Sequence, residues 1–513
     1  MPVSPTYPGV YIEELPSPVR TIIGVSTGTT AFVGPAPRGP AEPTMITSWD
    51  EYSQVFGGLS STSQMSYGVQ QFFLNGGQIA IVLRLTGAAA TAAQIALGQL
   101  TLNVTSKGTW GNSVRARVDT KGARLPTADE KSNGASIYNL TLHDTKTNRQ
   151  EQYRNISTLP KSPQSLAKML ASSILVTVDA ANIPAGAPTV NGDPPPGVSP
   201  WTNDYSIAAT GGVDDAPVAT DYVPPASGSE GIYKLRQVDI FNILCVPDLP
   251  EPVAQLPYCL QLCEERRAML IVDPPPDWEL ATARDNTINA PLVTGSTENA
   301  AIYFPWAQAP DPADPSVLRD FAPSGAVAGV WARTDVTRGV WKAAAGRDDG
   351  RLTGATSLKV ALTDLQIGEL NPLGVNCLRK LPLVGPVVWG ARTMAGADYA
   401  ASQWKYVPVR RLALFLEESL YRSTNWVIFE PNDEPLWSQI RLNVGVFMHT
   451  LFRHGAFQGQ KPADAYLVRC DRETNPQEDI DRGIVNIVVG FAPLKPAEFL
   501  IIQIKQLSPL ASA

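Results

Sequence analysis

The feature that most constrains this fold is a strand-like segment near the C-terminal end, residues 499–506 (F-L-I-I-Q-I-K-Q). It is rich in β-branched residues and contains neither Gly nor Pro, which favours a β-strand. Pro493 and Pro496 precede it and favour an extended tether. Because a strand must pair its backbone N–H and C=O groups, we expect this segment to join a sheet edge, in its own subunit or in another.

Two candidate edges lie just upstream. Residues 465–471 (A-Y-L-V-R-C-D) alternate, with Tyr466 and Val468 on one face. Residues 483–491 (G-I-V-N-I-V-V-G-F) are apolar on nearly both faces, which is typical of a strand covered on two sides. A polar segment, 472–482, joins them and indicates a long hairpin loop. Since a two-stranded hairpin is marginal in water, we expect further strands to be added to it, in cis or in trans.

The N-terminal end has the same design. A proline-punctuated stretch, residues 1–8, leads into residues 9–15 (G-V-Y-I-E-E-L), which alternate like a strand until Pro16 and Pro18. One interpretation is an ordinary edge strand of the first domain. The other is a second exchange arm, so that each subunit gives strands to two neighbours and receives strands in return.

Composition narrows the function classes. The chain has 513 residues, enough for two to four domains, and its net charge of −7 argues against nucleic acid as the main partner. No uninterrupted apolar window is long enough for a membrane span, and no signal peptide opens the chain, so we expect a soluble protein made in the cytoplasm. Five Cys at scattered positions fit a reduced compartment. Cys259 and Cys263 lie one helical turn apart without a nearby His, which favours buried thiols over a metal site.

The pattern of strands and helices predicts a mixed α/β protein of several domains. Ser48 is expected to cap an early helix, and Asn432 or Asp433 a longer one that reaches Arg453. The predicted division is an N-terminal arm (1–29), a first part of the core (30–87), an inserted outer domain that is loop-rich at 182–229 (88–230), a second α/β domain (231–385), a C-terminal core domain (386–492) and a C-terminal arm (493–513).

Two carboxylates raise an enzymatic alternative. Asp248 and Asp273 each follow a predicted buried strand, at the carboxyl edge where α/β folds place active sites. The other interpretation is that they cap turns, since each adjoins a proline. No His is near either in sequence and no Gly-rich phosphate loop precedes them. A hydrolase that uses these two residues therefore remains the alternative hypothesis.

Several short motifs occur in order along most of the chain. They are P-G-V-Y-I-E-E near the start, A-A-I-Y-F-P-W at 300–306, P-S-G-A-V-A-G-V-W-A-R-T-D at 323–335, R-G-V-W-K-A-A-A-G at 338–346, V-V-W-G-A-R-T at 387–393, F-E-P-N-D-E-P-L-W at 429–437, A-F-Q-G at 456–459, Y-L-V-R-C-D at 466–471 and P-A-E-F at 496–499. In these motifs the chain resembles the tail sheath proteins of contractile phage tails and related injection machines. One departure is Ala344, where the family usually has Pro.

The resemblance implies a structural subunit that forms six-subunit rings stacked around an inner tube, and that contracts to drive the tube through a target envelope. It implies no enzymatic activity and no cofactor. It also implies that both arms add strands to sheets of neighbouring subunits. The implied donor residues are Val10, Tyr11, Ile12, Glu13, Phe499, Leu500, Ile501, Ile502 and Ile504. The implied receiving residues are Tyr466, Val468, Ile484, Val485 and Ile487.

The resemblance further implies partners. These are other copies of the chain, the tube protein, and baseplate and tail-terminator proteins, with no nucleic acid and no membrane insertion. By analogy the C-terminal domain lies innermost, and the candidate tube contacts are Arg410, Arg411, Arg422 and Arg441, although a solvated face is the alternative for each. A phage tail, a headless bacteriocin and an extracellular injection system share this kind of subunit, and we prefer a headless injection system. A non-contractile shell protein is the remaining structural alternative.

Overall fold

The computed structural model describes residues 20–184, 186–224, 228–289, 297–312 and 314–501. In these residues the strands are β1 Thr30–Pro35, β2 Thr44–Ile46, β3 Ala80–Leu85, β4 Gln94–Leu97, β5 Leu100–Val104, β6 Val114–Asp119, β7 Ile137–Asp144, β8 Arg149–Ser157, β9 Val176–Thr177, β10 Ile207–Ala208, β11 Ile243–Cys245, β12 Met269–Val272, β13 Ala300–Phe304, β14 Ala307–Asp311, β15 Asp314–Phe321, β16 Ser357–Leu358, β17 Val375–Leu381, β18 Gly385–Val388, β19 Tyr466–Arg469 and β20 Val488–Phe491.

The helices pack on these strands or connect them. They are α1 Trp49–Phe56, α2 Gln64–Leu74, α3 Ala128–Ser132, α4 Leu166–Met169, α5 Ala219–Tyr222, α6 Pro252–Glu265, α7 Leu280–Asn289, α8 Pro323–Arg338, α9 Asp364–Leu370, α10 Val407–Ser423, α11 Glu434–Arg453, α12 Pro462–Ala465 and α13 Gln477–Asp481.

One eight-stranded sheet forms the centre of the molecule, in the order β18-β17-β13-β12-β11-β1-β3-β2. Its six inner strands run parallel, and antiparallel β18 and β2 close its two edges. Strands β11 and β12 and the centre of β1 are buried, as expected for a parallel sheet covered on both faces. One core cluster lies under α6 and a second under α1, α2 and α8. Strands β1–β3 from residues 30–87 and strands β11–β13, β17 and β18 from residues 231–388 therefore belong to a single sheet, whereas β14, β15 and β16 form a separate sheet of three strands.

The segment between these two halves folds around a core of its own. Strands β4, β5 and β9 form one small sheet, and β10, β6, β7 and β8 form another. Their apolar side chains meet in a separate cluster that includes Leu102, Val118 and Leu140. Strand β8 was not predicted, because most residues of its sequence, R-Q-E-Q-Y-R-N-I-S, are polar and do not alternate with apolar ones. Strand β8 forms nonetheless, because its backbone can hydrogen-bond to that of the neighbouring strand β7, which is buried along its whole length.

Two helices organise the C-terminal part. Helix α10 starts at Val407, and α11 starts after Asp433, whose side chain accepts a hydrogen bond from the Leu436 N–H. The apolar stripe of α11, which includes Trp437, Val444 and Met448, is buried against α10 and the β19–β20 pair. The predicted end of α11 at Arg453 is confirmed.

Candidate functional site

The β19–β20 pair is a sheet of only two strands. Tyr466 lies opposite Phe491 and Arg469 opposite Val488 in an antiparallel register. Among the described residues the two strands themselves pair only with each other, and directly after β20 an isolated antiparallel bridge joins Pro493 to Phe457. The inner face, which includes Val468 and Val489, packs towards α11. On the outer face Leu467 is 44% and Val488 47% exposed, so the sheet presents apolar surface as well as unpaired edges.

The predicted strand at 483–491 is shorter in the structure. Only Val488–Phe491 is a strand, and Ile484, Val485 and Ile487 lie in the connection before it. Two asparagines explain the difference, since the Asn486 N–H donates to Asn475 Oδ1 at 2.6 Å and Asn486 Nδ2 donates to the Thr474 carbonyl at 3.0 Å. These side-chain bonds replace ladder bonds. Val485 and Ile487 pack against the C-terminal core instead.

The root of the C-terminal arm is held by a buried arginine. Arg392 Nε and Nη2 donate to the two carboxylate oxygens of Glu498 at 2.8 and 2.7 Å. Arg392 Nη1 also donates to Asp398 at 2.9 Å, and Tyr406 Oη donates to Glu498 at 3.2 Å. Burial opposes the charge of Arg392, whose side chain is 1% exposed, but the bonds and charge of Glu498 outweigh burial and raise the pKa of the guanidinium. We call these contacts the Glu498 clasp.

Both motifs that form the clasp are recognisable in the sequence, but the sequence does not predict that they are in contact. Arg392 belongs to V-V-W-G-A-R-T and Glu498 to P-A-E-F, and 106 positions separate them. No spacing or periodicity in a single sequence brings two such positions together. The contacts of Arg392 with Glu498 and Asp398 make it a buried ion-pair residue.

Beyond the clasp the chain leaves the body of the subunit. Phe499, Leu500 and Ile501 are 74%, 86% and 81% exposed and form no strand. Ile502 and Ile504 lie outside the described residues. Three large apolar side chains in a row are therefore exposed directly after a fixed anchor, which is a feature of interaction surfaces.

The root of the N-terminal arm is also fixed to the C-terminal helices. The Arg20 N–H donates to Asn443 Oδ1 at 3.0 Å, and the Arg20 guanidinium lies 4.7 Å from the Trp426 ring centre. Ile22 is buried in the cluster around α11. The predicted donor residues Val10, Tyr11, Ile12 and Glu13 lie outside the described residues.

The four arginines considered for a tube contact differ in exposure. Arg411 is 5% exposed and pairs with Asp335 at 2.6 Å, so it is part of the core. Arg410 is 14% exposed, and its Nε donates to Asn299. Arg422 pairs with Glu418 and Asp239.

Arg441, on α11, donates hydrogen bonds to Glu434 of the same helix and to the carbonyl of Cys470, which follows β19. Arg422 and Arg441 are both 32% exposed, so these two have the greatest access to a partner.

Asp248 and Asp273 lie at the carboxyl edge of the main sheet, as predicted, beside a cavity of about 790 Å³. Asp248 accepts hydrogen bonds from the Gln64 and Met65 N–H groups, both at 2.8 Å, at the start of α2. Asp273 accepts one from the Ser324 N–H at 2.8 Å, at the start of α8. Each carboxylate thus occupies a helix N-terminus, the position where an anionic ligand binds in many α/β folds.

Burial raises the pKa of both carboxyls, that of Asp273 to about 7, and the charge of Asp248 adds to the effect at Asp273. These contacts cap the N-termini of α2 and α8, which are distant in sequence, so Asp248 and Asp273 cap helices rather than the proline turns beside them. Among the residues that the structure describes, no three His, Cys, Asp or Glu side chains are grouped to hold a metal ion. The five cysteines are buried and unpaired, which confirms the prediction for Cys259 and Cys263.

The fold and the site together define a class of protein. A multidomain α/β body carries a two-stranded sheet to which no further strand is added among the described residues, and the roots of both terminal segments are fixed to this body. Two family models match adjoining parts of the chain, the phage tail sheath protein central domain at residues 235–394 and the phage tail sheath C-terminal domain at residues 400–506. Together they cover more than half of the 513 residues, and the chain belongs to the phage tail sheath family. This is a family of structural sheath proteins.

Individual relatives agree. The chain is 27% identical over 177 residues to the tail sheath protein of Vibrio phage KVP40, a match that covers 34% of this chain and 25% of that protein. It is also 27% identical over 159 residues to the tail sheath protein of Enterobacteria phage T4, which covers 30% and 22%. The matched region thus spans about a quarter of the length of these relatives.

Solved structures share the fold along nearly the whole chain. The sheath of the extracellular contractile injection system PVC, in its contracted state, superimposes with a TM-score of 0.57 at 22% identity, and 98% of each chain is covered. The helical sheath of the anti-feeding prophage, also contracted, has a TM-score of 0.57 at 22% identity and covers 98% and 100%. The sheath tail protein of Listeria innocua has a TM-score of 0.60 at 14% identity and covers 92% and 96%.

None of the helices that the structure describes is both long and apolar enough to cross a membrane.

Proposed function

We propose that this chain is the sheath subunit of a contractile tail or tail-like injection particle. In this role it polymerises as stacked six-subunit rings around an inner tube, and contraction of the rings drives the tube through a target envelope. The observation that carries the proposal is that the same chain has both an open two-stranded sheet, β19–β20, and an exposed apolar segment, 499–501, directly after the fixed anchor at Glu498.

The exchange of strands suits such a machine physically. Ladder hydrogen bonds contribute about 0.5–1.5 kcal/mol each and add up over a strand of several residues. They depend on the backbone of the arm rather than on a rigid interface between bodies. Subunit bodies can therefore rotate and slide while the arms keep them connected, and a strained packing can relax to a more stable one without nucleotide hydrolysis.

For the tube contact we propose the solvent face of α11. Arg441 and Arg453 frame it, and between them Leu442 and Val446 are each 43% exposed around Gly445. Arg422 is a second exposed candidate. Arg410 and Arg411 are only 14% and 5% exposed and bond Asn299 and Asp335 inside the subunit, so the proposed tube contact does not include them.

The test is negative-stain electron microscopy of the full chain beside a variant that ends at Glu498. This variant keeps the clasp and lacks the donor strand. We expect hollow tubes from the full chain, alone or with the tube protein, and dispersed particles from the variant. Tubes from both chains would contradict strand exchange as the principle of assembly. Dispersed particles from both, even with the tube protein present, would contradict the sheath function.

A further inference from the structure

A groove of about 900 Å³ runs beside the Glu498 clasp. Trp341, Ile367, Trp389 and Phe499 provide apolar wall. Trp389 is 38% exposed although it is a large aromatic residue, and the Arg379 guanidinium lies 5.5 Å from its ring centre. An aromatic groove of this size is large enough for several residues of a peptide segment.

The motifs that mark the family converge on this groove. Residues 341–343, 345 and 346 of W-K-A-A-A-G, residues 389–391 of W-G-A and residues 496–499 of P-A-E-F contribute to its lining, together with His454 and Gly455. The pairing of an arm strand with β19–β20 uses only the last of these motifs. Of the others, W-G-A belongs to the motif that supplies Arg392 to the clasp, whereas W-K-A-A-A-G has no part in the clasp.

Three glycines leave room in the lining. A Cβ atom built at Gly346, Gly368 or Gly455 would meet no atom within 4 Å. These positions therefore present bare backbone to open space, which allows another chain to approach closely. Gly368 lies in α9 with ordinary backbone angles, so a side chain can be introduced there without backbone strain.

Most charged side chains of the groove are already paired. Asp364 pairs with Arg379 and Glu498 with Arg392. Asp349 pairs with both Arg338 and Lys342. A groove with paired charges and apolar wall suits an uncharged occupant, and residues 2–8 of the same sequence (P-V-S-P-T-Y-P) carry no charged side chain.

The sequence of that segment fits an aromatic groove. Pro2, Pro5 and Pro8 recur at every third position. A polyproline II helix has three residues per turn, so this spacing favours a conformation in which all three rings share one face. Grooves lined by aromatic side chains bind proline-rich segments of this kind. At about 3.1 Å per residue the segment 2–8 spans roughly 19 Å.

We propose that the groove binds residues 2–8 of a second copy of this chain. The inference rests on the proposed function, because residues 9–14 of the same arm are the predicted donor strand. Leu494 and Lys495 of the groove follow β20 by three and four positions, so one incoming arm can reach both the open sheet and the groove. Binding of residues 2–8 in the groove then holds the N-terminal end of the exchanged strand in place.

A disulfide experiment on assembled tubes tests the proposal. Thr6→Cys is combined with Gly368→Cys in the full chain, tubes are assembled under reducing conditions, and the thiols are then oxidised. The five native cysteines are buried, so the new thiols are the accessible pair. We expect disulfide-linked oligomers on a non-reducing gel. The control combines Thr6→Cys with Val336→Cys, a 68% exposed position on α8 outside the groove, and we expect at least tenfold less linked product from it.

Other outcomes of this experiment have separate meanings. Equal linkage at positions 368 and 336 would overturn the groove proposal. An internal disulfide within one monomer would overturn it as well, because it would show that each chain binds its own N-terminal segment. Tubes that assemble without any linkage to position 368 would overturn the groove proposal and leave the sheath function standing.

A second variant fills the groove. Gly368→Trp places a large side chain in the open space, and we expect at least a tenfold loss of tube yield at an unchanged melting temperature. Gly368→Ala, the matched control, should assemble like the original chain. Normal tube yield from the folded Gly368→Trp variant would overturn the proposal.

Discussion

Arg392 is the residue whose pairing most directly fixes the C-terminal arm. Its side chain is 1% exposed, and Glu498 provides two of its charge-assisted hydrogen bonds. An unpaired buried charge is costly, whereas a paired one is tolerated. The body of the subunit therefore requires the arm root for its own stability, and the arm starts from a defined position.

Glu498→Gln keeps the size of the side chain and removes its charge. We expect it to lower the free energy of unfolding by about 2–4 kcal/mol, because a buried guanidinium loses its main counterion. Denaturant unfolding measures this change. Asp398→Asn is the control, since Asp398 is 50% exposed and is shared with Lys405, and its effect should stay below about 1 kcal/mol. Equal effects of the two variants would contradict the role of the clasp.

Asp273 makes a prediction about pH. Burial raises the pKa of its carboxyl from 3.8 to about 7, so between these values the native state binds more protons than the unfolded state. Stability contributed by this group is therefore present at low pH and is lost as the pH rises through about 7.

Asp273→Asn removes that titration and retains an oxygen that accepts the Ser324 hydrogen bond. We expect the variant to gain stability relative to the original chain as the pH rises from about 4.5 to 8, because only the original chain then acquires a buried charge. Denaturation midpoints at several pH values measure the difference. A difference that does not change with pH would show that the carboxyl titrates normally.

At the scale of elements, α2 and α8 pack at unusually close range. A Cβ atom at Gly325 would lie 2.2 Å from the Gly68 carbonyl oxygen, while a Cβ atom at Gly68 would have no neighbour closer than 3.6 Å. Asp248 and Asp273 cap the same two helices, so caps and glycines fix this helix pair together.

The asymmetry of the two glycines gives a paired test. Gly325→Ala should lower the free energy of unfolding by about 1–3 kcal/mol, because the backbones must separate. Gly68→Ala should be within about 1 kcal/mol of neutral, since the methyl group fits and Ala favours a helix. Thermal or denaturant unfolding measures both. A larger loss at Gly68 than at Gly325 would contradict the packing described.

The arm root and the donor segment should be separable. A chain that ends at Glu498 keeps the clasp, and we expect its unfolding free energy to lie within about 0.5 kcal/mol of the full chain. A chain that ends at Ala492 loses Glu498 and should be destabilised by about 2–4 kcal/mol, for the reason given for Glu498→Gln. Denaturant unfolding at low protein concentration distinguishes them. Equal stability of the two truncations would show that the root contributes nothing to the body.

Sequence patterns predicted helices and buried strands well, because these depend on local periodicity and caps. Ser48, for example, caps α1, and Gly57 ends it with φ of 96°. The patterns failed where side chains replace ladder bonds, as Asn475 and Asn486 do before β20. They also failed where an element depends on its neighbours, as β8 does on β7. The Glu498 clasp was not predicted, because no local pattern in the sequence indicates a contact between two distant motifs.

At the scale of the whole molecule, residues 30–87 and 231–388 contribute strands to one central sheet, and the segment inserted between them folds around a separate core. Strand β1 pairs with β3 on one side and with β11 on the other, and the 88–230 insertion lies between the last two in sequence. Both arm roots attach to the C-terminal part, near α11 and at Arg392. Both roots thus contact the part of the chain, residues 386–492, that also carries the β19–β20 sheet.

The measurement that tests the central claim most directly is a cryo-EM reconstruction of assembled tubes in which the chain can be followed beyond Glu498. We predict that density from Glu498 of one subunit continues into a strand on the β19–β20 sheet of a neighbouring subunit, with the Arg392 contact intact. Density that returns to the β19–β20 sheet of its own subunit would contradict the account, because the open sheet would then be completed in cis.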